Sequence, residues 1–408
     1  MSSGDGSLRT ALRVFVATRL AVLLIAVFAA LSFGPVTGGD AELNAGRFDE
    51  TSLTHPLGGF GDTLLAPLAR WDAVWFLRIA ADGYGDSEPR AAFFPLYPGL
   101  IRALGGLGGG SDGARLIAGL VVSLAAYLGA LVLLYRLAAL ELGERRAPLT
   151  LLLLSVFPGA VFFGAVYSES LFLLVSVGAF YAARTERWAW AGAAAAAAAA
   201  TRSAGIVLLL PLALFWWQTR PRRLQDGAWL LLAPVGLLAY VAFLGLSEGD
   251  GLRFLGVQDA WSREFAGPFL GAWDGLVAAF DGLRQLLSGS RTPVYFEEAG
   301  GDPWRVAAMN LMLFGFLAFA VAAVTGAWRR LPRPYAVYMA AALALPLTFP
   351  VGPQPLMSLP RFLAVLFPVF MWLALWCEER RNAEYVIALF AMGLGLFTAQ
   401  FASWHFIA

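Results

Sequence analysis

The residue most suited to chemistry is a carboxylate in the first long polar interval of a strongly apolar chain. Asp72 lies in the run 70–84, where tryptophan, phenylalanine and arginine surround it. Drawn as one helix at about 100° per residue, 68–82 places Asp72 in the middle of an apolar arc. A carboxylate at such a position is costly unless a function requires it. The pattern therefore indicates a general base, or alternatively a structural carboxylate that pairs with Arg70 or Arg78.

Four further charged residues stand between apolar segments. Glu169 either caps the start of a helix, where the helix dipole favours an acid, or points into a polar site. Arg202 and Arg361 are single guanidiniums of the kind that bind a lipid-linked phosphate, although contact with lipid headgroups explains each of them equally well. Asp82 precedes Gly83 and is better explained as a helix end than as a second catalytic acid.

Several other kinds of chemistry find no support in the sequence. His55 and His405 are isolated and show no metal-ligand spacing, and the single cysteine, Cys377, excludes an intramolecular disulfide. The chain contains no Walker-type phosphate-binding loop, no dinucleotide fingerprint after a predicted strand and no His-Glu-x-x-His. All 29 basic residues are arginine, the net charge is +1, and no basic tract resembles a nucleic-acid surface.

The composition indicates a helical membrane protein. Of the 408 residues, 59% are hydrophobic and only 14% are charged, whereas soluble domains are about 25% charged. We predict one all-α polytopic membrane domain over 1–408, with 188–201 and 204–218 as short or broken helices that meet at Arg202. The eleven predicted spans lie near 13–33, 114–140, 147–165, 168–184, 188–201, 204–218, 227–246, 305–327, 335–350, 361–377 and 384–404.

The distribution of arginine predicts the orientation in the cell membrane. With a cytoplasmic N-terminus, the two long intervals 34–113 and 247–304 lie outside, and so does the C-terminus. Arg19, in the first span, is expected to face the bundle interior or to reach the cytoplasmic interface, and a signal peptide is the rival explanation of this segment. Every short inside loop is then basic, through Arg9, Arg145, Arg146, Arg184, Arg187, Arg220, Arg222, Arg223, Arg329, Arg330, Arg333, Arg380 and Arg381.

Both long outside intervals are expected to contain interfacial helices. In the first interval, two prolines predict a rigid turn over 93–98. The run 189–200 consists almost entirely of alanine and glycine and predicts close helix packing. In the second interval, an interfacial helix is indicated by the spacing of Trp261, Phe265, Phe269, Trp273, Phe280 and Leu283.

Longer motifs in the chain resemble those of a known enzyme family. They are similar to the signature of the PIG-V family, the mannosyltransferases that add the second mannose to glycosylphosphatidylinositol, together with their bacterial relatives. The first motif is the longest and the most specific. The segments that carry the resemblance are Arg70-Trp71-Asp72-Ala73 through Ile79-Ala80 and Gly83-Tyr84, Phe93-Phe94-Pro95-Leu96-Tyr97-Pro98, Tyr167-Ser168-Glu169-Ser170-Leu171-Phe172, and Ser358-Leu359-Pro360-Arg361-Phe362.

The resemblance implies a GT-C glycosyltransferase fold and a sugar donor linked to polyprenyl or dolichyl phosphate on the extracytoplasmic face. It implies a catalytic acid in the first outside loop, which assigns Asp72 as the general base of an inverting transfer of mannose. Arg202 or Arg361 would then stabilise the phosphate leaving group. Arg70 and Glu169 are further substrate-binding candidates, and four aromatic residues shape the sugar site or anchor the loop: Trp71, Trp75, Phe94 and Tyr97.

No metal or other cofactor is expected, because Asp72 has no acidic neighbour at Asp-x-Asp spacing and Asp82 lies about 15 Å away along a helix. The acceptor is expected to be a lipid or a glycan. A transporter of lipids or oligosaccharides is the first alternative, disfavoured because the distinctive residues cluster in an outside loop and no inverted repeat is present. A non-catalytic subunit of a larger transferase is the second, and in that case Asp72 would be replaceable.

Overall fold

The computed structural model describes residues 3–34, 50–85, 89–257, 260, 262–296, 302–405 and 407. In these ranges the chain is helical, which confirms the all-α prediction. The α-helices are α1 (Ser3–Phe33), α2 (Thr51–Thr54), α3 (Gly59–Leu65), α4 (Ala73–Asp82), α5 (Leu96–Leu107), α6 (Asp112–Leu142), α7 (Ala147–Val156), α8 (Glu169–Arg184), α9 (Trp188–Thr201), α10 (Leu209–Gln218), α11 (Leu224–Ala228), α12 (Val235–Ser247), α13 (Arg253–Gly256), α14 (Leu270–Ser288), α15 (Pro303–Arg330), α16 (Arg333–Thr348), α17 (Leu359–Ala364), α18 (Phe367–Arg380) and α19 (Ala383–Ala402). Short 3₁₀ helices lie at Ala66–Leu68, Arg90–Ala92, Pro158–Gly164, Ser203–Leu208 and Trp229–Leu232.

The chain is a multi-pass membrane protein. Each of the eleven predicted spans contains helix, and the break predicted at Arg202 is present between α9 and the following 3₁₀ helix. Some spans are short or bent, so the count of eleven stays a prediction. Among the described residues, five helical stretches are long and apolar enough to cross a membrane by themselves: Gly6–Phe33, Asp112–Leu142, Leu224–Ser247, Pro303–Arg330 and Ala383–Ala402.

The span predicted over 147–165 is sharply bent in the structure. The helix α7 ends at Val156, and the 3₁₀ helix Pro158–Gly164 departs from it at 87°. Pro158 has no N–H to continue the helical ladder, and Phe157 before it is held at φ −57° and ψ 141°, outside the helical region. The break turns the chain across the bundle before α8 begins.

A buried arginine supports this break. Arg19, from α1, donates hydrogen bonds to the carbonyl oxygens of Ala160 at 2.7 Å and Ser155 at 3.4 Å. Its guanidinium also lies over the Tyr127 ring, 4.9 Å from the centroid. The bend frees backbone carbonyls from helical pairing, and a charged donor inside the bundle satisfies them. The prediction that Arg19 faces the bundle interior is confirmed.

The alanine-rich helix α9 packs closely on its neighbours, as predicted. A side chain at Gly236 or Gly205 would overlap the backbone of α9 at Ala196 or Ala198. Small residues here let the helices approach each other. The helix α9 also packs against α8, and both helices border the site described below.

The helix predicted over 68–82 begins only at α4. Trp71, just before it, adopts a left-handed φ of 57°, which interrupts any helical path. Tertiary hydrogen bonds from Tyr167 hold this turn and override the local apolar periodicity. The predicted helix end is confirmed, because α4 stops at Asp82 and Gly83 follows with φ 83°.

Aromatic residues of the first long interval pack inside the protein. The predicted rigid turn covers only 93–95, because α5 begins immediately afterwards. Pro98 is compatible with the first turn of this helix, where backbone N–H groups have no helical partner. The buried aromatic side chains are Trp71, Trp75, Phe76, Phe93, Phe94 and Tyr97.

The second long interval also differs from its prediction. Trp261 lies outside the described residues, and Phe265 and Phe269 precede the helix instead of joining it. Segment 263–266 pairs with 348–351, with an Arg263–Val351 bridge and backbone hydrogen bonds of 3.0 to 3.3 Å. Phe265 therefore lies in a segment that pairs with distant backbone instead of in a helix. The exposed apolar face of α14 carries the remaining predicted residues, Trp273, Phe280 and Leu283.

Candidate active site

Asp72 stands at the start of α4, where a buried tyrosine fixes its backbone. The Tyr167 hydroxyl accepts a hydrogen bond from the Asp72 backbone N–H at 3.1 Å and donates one to the Arg70 carbonyl at 3.2 Å. Trp71, between the two, is the left-handed residue of this turn. Non-glycine residues in this conformation cluster at functional sites, where surrounding contacts impose it. The Asp72 carboxylate makes no helix-capping bond and is 19% exposed.

A chain of ion pairs joins the charged residues that the sequence singled out. Arg361 donates from Nη1 to Asp72 Oδ2 at 2.6 Å, and its Nε lies 3.5 Å from Glu169 Oε1. Arg202 pairs with the same Glu169 oxygen. Glu169 is 1% exposed, and within the described residues its other oxygen, Oε2, has no hydrogen-bond partner. Such a concentration of buried, coupled charge is costly for stability and is typical of functional sites.

Separate elements bring these side chains together. Glu169 is the first residue of α8, which follows the bent segment 158–164. Arg202 occupies the extended residue after α9, with φ −155° and ψ 151°. Arg361 lies in the first turn of α17, after Ser358, which has a left-handed φ of 70°. Glu169 therefore opens a helix and also pairs with two guanidiniums, so its position fits both alternatives that the sequence left open.

The ion-pair chain lines a cavity of about 770 Å³. Carboxylates and guanidiniums lie at one part of its wall, and aromatic rings surround them, including Phe162, Tyr167 and Phe362. The predicted site residues that line the cavity are Trp71, Asp72, Phe94, Glu169, Arg202 and Arg361.

The other predicted binding residues are buried outside the cavity lining. The Arg70 guanidinium lies over the Trp404 ring, 4.7 Å from the centroid. Trp75 stacks on Phe93 with ring centroids 6.2 Å apart, and Tyr97 is fully buried with its hydroxyl bonded to α6. These side chains hold the first interval in place, and their contact with a substrate stays a prediction.

Sequence reasoning missed one arginine of the cavity. Arg263 lines it and donates hydrogen bonds to the carbonyl oxygens of Phe349 at 3.1 Å and Met357 at 3.3 Å. The argument that selected Arg202 and Arg361, a single arginine outside the predicted cytoplasmic loops, applies equally to Arg263. Arg263 was not selected because it lies in a long interval where an interfacial helix was predicted.

The site offers arginines to an anionic ligand. In the part of the chain that the structure describes, no three His, Cys, Asp or Glu side chains form a group that could hold a metal ion. The two carboxylates of the cavity, Asp72 and Glu169, are paired with guanidiniums. Guanidinium groups bind phosphate through paired, charge-assisted hydrogen bonds. Metal independence remains a prediction that a chelator can test.

Comparison with known sequences identifies relatives for half of the chain. Residues 9–215 match the family model described as mannosyltransferase (PIG-V). The chain is 31% identical over 185 residues to GPI mannosyltransferase 2 of Chaetomium globosum, an alignment that covers 42% of this chain and 39% of that protein. It is 38% identical over 126 residues to GPI alpha-1,6-mannosyltransferase 2 of Rattus norvegicus, covering 29% and 25% respectively. The chain therefore matches well under two thirds of the length of these relatives.

Solved structures with a similar chain course are more distant. The apo oligosaccharyltransferase of Archaeoglobus fulgidus is 16% identical, with a TM-score of 0.48, and the match covers 97% of this chain and 56% of that one. ArnT from Cupriavidus metallidurans bound to undecaprenyl phosphate is 15% identical, with a TM-score of 0.48 and coverage of 95% and 76%.

Proposed function

The chain belongs to the PIG-V mannosyltransferase family, and from this we propose that it is a GT-C glycosyltransferase with an inverting mechanism. The donor is mannose linked to a polyprenyl phosphate, and the acceptor is a lipid or a glycan. Asp72 is the general base, and no metal takes part. The cavity opens on the extracytoplasmic side of the cell membrane.

The ion-pair chain at the cavity wall is the observation that carries this proposal. It places a partly exposed carboxylate, Asp72, beside guanidinium groups in a cavity large enough for a sugar. A transfer from a phosphate carrier needs both functions, a proton acceptor and a positively charged site for the leaving phosphate. The family motif that contains Asp72 supplies the first function, and Arg202 supplies the second.

The reaction follows from these positions. The acceptor oxygen forms a bond to C1 of mannose on the face opposite the carrier, while the bond from C1 to the phosphate oxygen breaks. The electron pair of that bond leaves with the carrier phosphate, and Asp72 takes the proton of the acceptor hydroxyl. The β-linked donor sugar thereby becomes an α-linked product.

The two arginines then have different roles. Arg361 is bound to Asp72 Oδ2, so it orients the base. Arg202 contacts Glu169 and not Asp72 within the described residues, so we assign it to the leaving phosphate. Glu169 keeps both guanidiniums in position through Oε1, and its buried Oε2 is available to accept a hydrogen bond from a sugar hydroxyl.

Helix ends support the proposed orientation. Glu169 opens α8 at the site, and Arg184 closes the same 16-residue helix, about 22 Å away at 1.5 Å per residue. Arg187 likewise precedes α9, and Arg202 follows its last residue, Thr201. The basic loop between α8 and α9 therefore lies at the end of these two helices opposite the cavity. Under the positive-inside rule, this arrangement favours an extracytoplasmic site.

Transfer of radiolabelled mannose from synthetic polyprenyl-phosphate mannose tests the function. The purified full chain is compared with Asp72→Asn, with total membrane-lipid extract as acceptor and EDTA in one arm. Asp82→Asn is the matched control, because it makes the same change on α4 in a side chain that is 65% exposed. We expect labelled product from the wild type and the control, none from Asp72→Asn, and no effect of EDTA.

Each contrary result has a definite meaning. Equal labelling by Asp72→Asn would refute the assignment of the base. Loss of product with EDTA would refute metal independence. An absence of product from the wild type would contradict transfer of mannose and would favour a transporter.

A further inference from the structure

Three guanidinium groups converge on one aromatic ring in the cavity wall. The guanidinium carbons of Arg202 and Arg263 each lie 5.8 Å from the centroid of the Phe362 ring, and that of Arg361 lies 5.6 Å from it. The arginines come from separate elements: the end of α9, segment 263–266 and α17. Like charges at such short range repel unless other charges or a bound anion compensate them.

The carboxylates of the site compensate these charges unequally. Arg361 contacts both Asp72 and Glu169, and Arg202 contacts Glu169. In the described part of the chain Arg263 forms no ion pair, and its hydrogen bonds go to neutral backbone carbonyls. Burial, followed by the charge of Arg361, lowers the pKa of Arg263 to about 10, so its guanidinium remains charged at neutral pH. The site thus has three positive charges against two negative ones.

We propose that Arg263 is a further phosphate-binding residue, which completes with Arg202 the site for the phosphate of the lipid carrier. This inference rests on the proposed function. Arginine is suited to the task because its planar group of donors matches the oxygens of a phosphate. Arg263 forms no ion pair with a carboxylate in the described part of the chain. A bound anion would therefore compensate its charge more than the charges of Arg202 and Arg361. The pairing of 263–266 with 348–351 therefore brings a substrate-binding group into the cavity.

The surroundings of Arg263 favour a phosphate that carries an apolar chain. Leu345, Pro346 and Phe349 line the same cavity, and Phe349 is the residue whose carbonyl accepts a hydrogen bond from Arg263. Leu345 is also 37% exposed, so this apolar wall continues to the surface of the bundle. An aliphatic chain leaving the phosphate can follow that wall into lipid, whereas a free phosphate would leave it uncovered.

Binding of a long-chain polyprenyl phosphate to the purified full chain in detergent tests the inference without any transfer step. The neutral polyprenol of the same length and inorganic phosphate are the comparison probes. We expect Arg263→Gln to weaken polyprenyl phosphate binding by about 10-fold to 100-fold, because a charge-assisted hydrogen bond to a phosphate is lost. Arg263→Lys retains the charge, so its affinity for polyprenyl phosphate is expected to lie between those of Arg263→Gln and the wild type. Arg291→Gln, in the same interval with a side chain 68% exposed, is expected to bind as the wild type does.

The results separate this inference from the function itself. Unchanged binding by Arg263→Gln would overturn it, as would equal binding of the phosphate and the polyprenol by the wild type. Tight binding of inorganic phosphate would overturn the choice of a lipid phosphate. Arg263-dependent binding without mannose transfer would contradict the proposed function alone. Full transfer by Arg263→Gln would contradict only the role of Arg263.

Discussion

Gly159→Ala tests whether the bent segment behind the site positions Arg361. Gly159 lies in the 3₁₀ helix Pro158–Gly164, and a Cβ added there would stand 2.5 Å from the carbonyl oxygen of Pro360. Ordinary contact begins at 3.4 Å, so the Pro360 backbone would have to retreat by about 0.9 Å. Pro360 directly precedes Arg361, which is 2.6 Å from Asp72.

The displacement has a calculable effect on the base. If Arg361 follows its neighbour along the line of contact, the distance from its Nη1 to Asp72 Oδ2 increases from 2.6 Å to about 3.5 Å, where a hydrogen bond is much weaker. A misplacement of about 1 Å in a catalytic group lowers the rate on the order of 100-fold. We expect kcat to fall by about that factor. The donor KM should change less, because Arg202 and Arg263 lie on other elements.

Mannose transfer and thermal unfolding, measured on the same detergent preparation, test whether kcat falls in a protein that is still folded. Gly315→Ala is the control, because it makes the same substitution in α15 at a position where an added Cβ meets no atom within 4 Å. The control should keep wild-type activity. A folded Gly159→Ala protein with wild-type kcat would refute the reasoning that this close approach sets the position of Arg361.

Three further substitutions probe the supports of the site. Tyr167→Phe removes the hydroxyl that holds the turn at Asp72, and mannose transfer should fall about 10-fold while the fold is retained, as checked by transfer assay and thermal melting. Glu169→Gln deprives Arg202 and Arg361 of a shared carboxylate partner. In steady-state kinetics kcat should therefore fall, and a wild-type kcat would contradict the assigned role of this carboxylate. Arg19→Met leaves two backbone carbonyls without their donor and should lower the free energy of unfolding by about 2 kcal/mol, which a shift in melting temperature would report.

The charge arrangement explains why function and stability compete in this site. Glu169 is almost fully buried, and one of its oxygens has no partner among the described residues. Burial of such a group costs free energy that an apolar residue would not require. The packing of α8 against α9 is one of the contributions that offset this cost.

Local patterns in the sequence determined the class of the fold and the identity of most charged residues in the site. Apolar periodicity depends on each segment alone, so it predicted helices along the chain and the break at Arg202. The high cost of charge beside apolar spans likewise made Asp72, Glu169 and Arg361 conspicuous one by one, because that cost is a property of the residue and its immediate neighbours.

Only the tertiary structure decided how these residues meet. Asp72 and Arg361 are 289 positions apart in the chain, and their contact depends on a turn held by Tyr167 and on the bend before α8. Arg263 reaches the cavity because its segment pairs with backbone 82 to 88 positions away, and no local pattern encodes that pairing. Helix propensity acts over a few residues, whereas a site assembled from separate elements is set by the packing of the whole bundle.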